Sequence, residues 1–73
     1  MDPRTKELVA IGASVAARCQ PCFRHHLTKA RELGVGEEDI QAAVDLAGRI
    51  SVVGGERMID FVDLIIKEKE ETK

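Results

Sequence analysis

Two cysteines separated by two residues, in Cys19-Gln20-Pro21-Cys22, and a histidine four residues after the second of them, His26, are the groups best suited to chemistry in this 73-residue chain. A thiol–disulfide relay needs two sulfurs close enough to bond, a lowered pKa on the attacking thiol, and a group that moves protons. If Pro21 takes the first helical position, Gln20 is the cap and Cys22 lies in the first turn, its sulfur near the unpaired amides that stabilise a thiolate. His26 then lies one turn along on the same face, placed to take the thiol proton or, once charged, to stabilise the thiolate. Cys19 stands just outside the helix and is expected to be the more exposed sulfur.

The same cysteine spacing serves half of a zinc site, and cysteine is also common as a plain core residue. Tetrahedral structural zinc usually takes two such pairs. This chain offers one pair with His25, His26 and carboxylates, so an oligomeric zinc module built on Cys19, Cys22 and His26 would need an unusual fourth ligand or a second subunit. Redox, metal-binding and inert readings all remain open at this level. His25 points about 100° away from His26 on the helical wheel and reads as a surface or interface residue. Arg18 and Arg24 raise the local positive potential and favour a thiolate, although arginines at such places are commonly solvated. Glu7, in the first turn of its helix, looks like ordinary dipole compensation.

The elements that must position these groups read as about four helices. The first runs from about Pro3 to Ala17, with Asp2 as its cap and Pro3 at its first position. Between Leu8 and Ala17 it is apolar on nearly every side, which requires protein around it and makes it the central element. The second begins at Gln20-Pro21 and ends at Leu33-Gly34, where Gly34 supplies the left-handed residue favoured just past a helix. A third starts near Gly36-Glu37 and presents Ile40, Ala43, Val44 and Ala47 at helical spacing. Gly54-Gly55 is expected to break the chain before a fourth helix, from about Glu56, with Met58, Phe61, Val62 and Ile65 along one stripe. The closing residues 67–73 read as a solvated helix end or loose tail.

Size and composition bound the rest. One all-α domain spanning residues 1–73 is expected, and a domain this short buries a modest core. The chain is 44% hydrophobic and 33% charged, too apolar for disorder and too broken by charge for a span of about twenty apolar residues. The net charge of −2 is spread along the chain, which leaves no footprint for nucleic acid. The opening residues show no leader-like pattern, so a cytoplasmic protein is expected, a setting in which a close cysteine pair is rarely a structural staple. The apolar surface of the last helix exceeds what one small chain covers, so a homo-oligomer is expected.

The run from Glu7-Leu8-Val9-Ala10-Ile11 through Cys19-Gln20-Pro21-Cys22-Phe23-Arg24-His25-His26 to Leu33-Gly34-Val35-Gly36-Glu37-Glu38-Asp39-Ile40 resembles the carboxymuconolactone decarboxylase-like family, and within it the alkylhydroperoxidase D branch. That branch carries a glutamate twelve residues before a Cys-x-x-Cys whose second cysteine is followed four later by histidine. Glu7, Cys19, Cys22 and His26 meet each spacing. The resemblance implies an all-α fold assembling into trimers or hexamers; no cofactor and no metal are expected. It turns Glu7 into a proton-relay partner of His26. It implies Cys22 as nucleophile toward a peroxide or small disulfide, Cys19 as the resolving thiol, and an external dithiol or redox protein as electron donor. The peroxidase members have a histidine directly before the second cysteine, where this chain has Pro21. Proline carries no protons, so the expectation shifts toward disulfide exchange. Decarboxylases of the wider family, a third reading, do not rely on the cysteine pair.

Overall fold

A computed structural model describes residues 1–71, with side chains described as far as Glu68; Thr72 and Lys73, part of the expected tail, lie outside the described residues. The chain forms three α-helices, α1 (Pro3–Ala16), α2 (Gln20–Glu32) and α3 (Glu37–Glu71), with no strand among the described residues. The all-helical expectation holds, and the count of about four is corrected to three.

Each helix start follows from local chemistry. The Asp2 carboxylate accepts from the Thr5 backbone N–H at 3.2 Å, and Pro3 loses nothing at the first position because its missing N–H would have had no partner. α3 opens with Glu37, Glu38 and Asp39 on the positive end of its dipole. At the end of α2, Gly34 has a φ of 78°. Around it the Val35 N–H donates to Ala30 O and the Gly34 N–H to Arg31 O, which together make a Schellman turn. Arg31 bridges this turn by donating to both carboxylate oxygens of Glu37, at 2.7 and 3.2 Å. That hydrogen bond holds the Glu37 carboxyl below its ordinary value and raises the Arg31 guanidinium. Both side chains are well exposed, so the pair orients the corner more than it stabilises it.

α1 is the central element, as its all-round apolar surface requires: it packs against both α2 and α3, which barely touch each other. The α1–α2 pair is antiparallel, because Arg4 Nε donates to Leu33 O near the open end while the Ser14 carbonyl accepts from Cys19 N at the turn. Ile11 and Ala30 are fully buried and Ile40 nearly so, with Leu8, Phe23, Leu27, Val35, Ala43 and Val44 packed round them. Gly12 faces Ala43 and Ala47 of α3, where small residues let the two helices approach.

The expected break at Gly54-Gly55 does not occur, and α3 runs straight through it for 35 residues. The reason is phase. Ile40, Val44, Ala47, Ser51, Gly54, Met58, Phe61 and Ile65 alternate in steps of four and three, so the stripes on either side of the glycines belong to one uninterrupted helical face. Glycine weakens a helix interior but does not forbid it. The helix is about 52 Å long at 1.5 Å per residue, and its outer half projects from the body. The radius of gyration is 17.2 Å, against about 11 Å for a compact chain of this length.

Neither Gly54 nor Gly55 has a positive φ, and a methyl added at either meets nothing within 4 Å. Gly54→Ala and Gly55→Ala should therefore each stabilise α3 by about 0.5–1 kcal/mol, read as higher helicity and melting temperature by circular dichroism. Lost helicity would show that the backbone there needs glycine.

Candidate active site

The site is built at the turn between α1 and α2. α1 ends in a second Schellman turn, in which the Cys19 N–H donates to Ser14 O at 3.0 Å and the Arg18 N–H to Val15 O at 3.1 Å. Arg18 occupies the left-handed position with a φ of 56°, and it is the one non-glycine residue with positive φ among the described residues. Glycine is usual there, and an L-residue with a side chain costs about 1–2 kcal/mol. Cys19 closes this turn and also caps α2: its sulfur accepts from the Cys22 backbone N–H at 3.3 Å. The cap therefore falls one residue earlier than the expected Gln20, which becomes the first residue of α2 with Pro21 second. Both assignments leave Pro21 where its absent N–H does no harm.

Cys19 and Cys22 are joined as a disulfide with a Cα–Cα separation of 5.3 Å, well within the range a disulfide spans. The exposure of the two sulfur-bearing residues is opposite to expectation. Cys22 is exposed, whereas Cys19 is half-buried because the turn that holds its backbone also tucks it against α1.

Glu7 and His26, nineteen residues apart, meet across the α1–α2 interface with Oε2 2.7 Å from Nδ1. The glutamate side chain is only 13% exposed and the histidine 31%. A carboxylate only accepts, so the Nδ1–H donates, and in the neutral ring Nε2 carries the free lone pair. The imidazole is thereby held in one tautomer with its basic nitrogen available, one helical turn beyond Cys22. His25 lies exposed, its ring edge-on to that of His26 at 4.9 Å between centroids, consistent with its reading as a surface residue. Among the described residues no group of three or more His, Cys, Asp or Glu side chains is arranged to hold a metal ion.

Sequence reasoning treated Arg18 as secondary and did not reach Ser14, Phe23, Leu27 or Val44, which share a groove with Cys19. A signal for Arg18 was present. With Pro21 fixing the next helix start and no Gly or Asn between Ala13 and Cys19, the left-handed residue that ends α1 has to be an ordinary one.

The chain is thus all-α and presents a Cys-x-x-Cys disulfide at a helix start, one turn from a histidine held by a distant glutamate. The model of the carboxymuconolactone decarboxylase family matches residues 1–65, and the chain belongs to that family, which includes the alkylhydroperoxidase D-like proteins. No curated protein and no solved structure matches the chain.

Because Glu7 selects the Nδ1–H tautomer, nitrogen NMR of His26 at alkaline pH should show Nδ1 protonated and Nε2 bare, a preference lost in Glu7→Ala. The same variant should lose about 1–3 kcal/mol of stability, since a charge-assisted, part-buried hydrogen bond disappears. An unchanged tautomer would mean that something other than Glu7 sets it.

Proposed function

We propose that the protein is a thiol–disulfide oxidoreductase in which Cys22 attacks, Cys19 resolves, and the Glu7–His26 pair handles the proton. The observation that carries this reading is the 2.7 Å contact between Glu7 and His26 one turn from a bonded Cys19–Cys22 pair. A structural disulfide has no need of a histidine in a fixed tautomer, whereas an exchanging one does.

In the reduced protein, the Cys22 thiol passes its proton to His26 Nε2, while Glu7 balances the charge that develops on the ring. The thiolate at the positive end of α2 attacks one sulfur of a small disulfide, forming a mixed disulfide and expelling the first thiolate, which takes the proton from His26. Cys19 then attacks the Cys22 sulfur and expels the second thiolate, which takes up the proton that the Cys19 thiol gives up, leaving the Cys19–Cys22 disulfide. Two electrons have passed from the protein to the substrate. With a hydroperoxide in place of the disulfide, the O–O bond breaks, an alcohol leaves, Cys22 becomes a sulfenic acid, and Cys19 displaces water from it. An external dithiol restores both thiols. Pro21 supplies no second proton relay, which favours disulfide substrates over peroxides. A reducing, cytoplasmic setting suits such a cycle.

We also infer that the chain works as a homo-oligomer. On the projecting half of α3, Met58 and Phe61 of the apolar stripe are each more than half exposed, as are Ile59, Leu64 and Ile66 beside it. A second copy of the chain offers the same stripe in return, which suits a self-complementary contact. Phe61→Asp should shift the sedimenting species toward monomer; an unchanged mass would argue against assembly through this stripe.

The primary test is the pH dependence of alkylation of the reduced protein, with the modified cysteine located by mass spectrometry. Cys22 should react with a midpoint below the ordinary thiol value of about 8.5, and His26→Ala should move that midpoint upward. Slow reaction at an ordinary midpoint, with access gained only after chelation, would replace this reading with the zinc module. Turnover that survives loss of both cysteines would replace it with a decarboxylase-type lyase.

A further inference from the structure

Beside the disulfide, a groove of about 610 Å³ opens between α1, the start of α2 and Val44 of α3. Val15, Phe23, Leu27 and Val44 give it apolar walls, and Cys19, not Cys22, forms part of its lining. Arg18 and Arg24 stand at its edge, no carboxylate lines it, and neither arginine is in an ion pair among the described residues. Two unneutralised guanidinium groups over an apolar trough form a surface complementary to a molecule with an apolar body and an anionic end.

The backbone adds an independent observation. Arg18 holds the left-handed position in the turn that ends α1, where glycine would sit without strain. A side chain retained at a strained backbone position beside a reactive sulfur points to a use for that side chain.

We propose that this groove receives the external thiol that reduces the Cys19–Cys22 disulfide, and that Arg18 and Arg24 select a reductant whose apolar chain ends in an anionic group. The proposal rests on the thiol–disulfide reading above and deepens it by naming the class of electron donor. The donor thiolate attacks Cys19 Sγ from the groove. Its sulfur forms a bond to Cys19, the Cys19–Cys22 bond breaks, and the electron pair leaves on Cys22. That thiolate leaves into the first turn of α2, whose dipole favours its charge, and it takes up from solvent the proton that the donor thiol released there. A second thiol of the donor then attacks the mixed disulfide, leaves as the donor's own disulfide, and releases Cys19 as a thiolate. The two sulfurs thus divide the work: exposed Cys22 meets the oxidant, and half-buried Cys19 meets the reductant.

The test uses the oxidised full chain and three monothiols of one length, mercaptohexanoate, mercaptohexanol and aminohexanethiol, compared at equal thiolate concentration, with iodoacetamide trapping and mass spectrometry. At low ionic strength the carboxylate thiol should react about fivefold faster than the alcohol, and the amine more slowly than either, with the differences shrinking as salt is added. The first adduct should lie on Cys19 with the alkyl group on Cys22. In Arg24→Gln, and in Arg18→Gly, which also relieves the left-handed backbone, the ratio of carboxylate to alcohol rates should fall; in the double variant it should drop below about twofold. A ratio that the variants leave unchanged, or a first adduct on Cys22, overturns the proposal while leaving the redox reading standing. No reduction by any of the three thiols overturns both. Rates that fall together for all three as the protein is concentrated, with sedimentation showing assembly, would assign the groove to a second copy of the chain and overturn it as well.

Discussion

Cys19 closes one helix and opens the next, and most of the molecule follows from that double duty. Its backbone N–H completes the turn that ends α1, and its sulfur accepts from the free Cys22 amide in the first turn of α2. With only residues 17–19 between the helices, α2 has to fold straight back along α1. Folding back at that place brings Glu7 opposite His26, although nineteen residues separate them. A looser link would let α2 slide or rotate, and a shift of one residue swings a side chain by about 100° and would leave the glutamate without its partner. The Glu7–His26 contact and the helix-capping geometry are therefore one constraint.

The fold around this turn is thin. Ile11, Ala30, Ile40 and Ala47 are the buried apolar residues among those described, and Ile11 is the one large side chain fully removed from water. Burying an isoleucine contributes about 1.5–3 kcal/mol, so so small a core leaves little margin once the entropy of ordering the chain is set against it. Local devices consequently matter more than they would in a large domain: the Asp2 cap, the two Schellman turns, the Arg4 bond to Leu33 O, and the part-buried Glu7–His26 contact. Ser14 fits the same economy, since its hydroxyl is buried yet donates to Ala10 O within its own helix at 2.7 Å.

What the sequence made legible were features whose cause is local. Asp2-Pro3 and Gly34 marked helix ends because capping and left-handed turns act over a few residues, and His26 was in phase with Cys22 because both lie on one helix. Glu7 was different. Read alone it was indistinguishable from a residue compensating a helix dipole, because its role depends on a tertiary contact set by the turn at Cys19; only the family resemblance singled it out. Gly54-Gly55 misled because a breaker rule was applied residue by residue, while the four-and-three spacing from Ile40 to Ile65 ran through the glycines without a change of phase. The relative exposure of the cysteines also ran against expectation. A residue outside a helix is ordinarily more accessible, but one that serves two turns at once is drawn inward.

That inversion bears on the proposed exchange chemistry, in which a single disulfide serves two different partners. Exchange at a disulfide depends on which sulfur is approached and which is the better leaving group. Here access distinguishes the two atoms, one exposed and one half-buried. Cys22 lies at the start of α2, where the helix dipole favours a thiolate, and Cys19 borders the apolar groove with Arg18 and Arg24. The asymmetry needs no movement of the backbone, because it is already present in the turn that makes Cys19 the last residue of one capping motif and the first of the next.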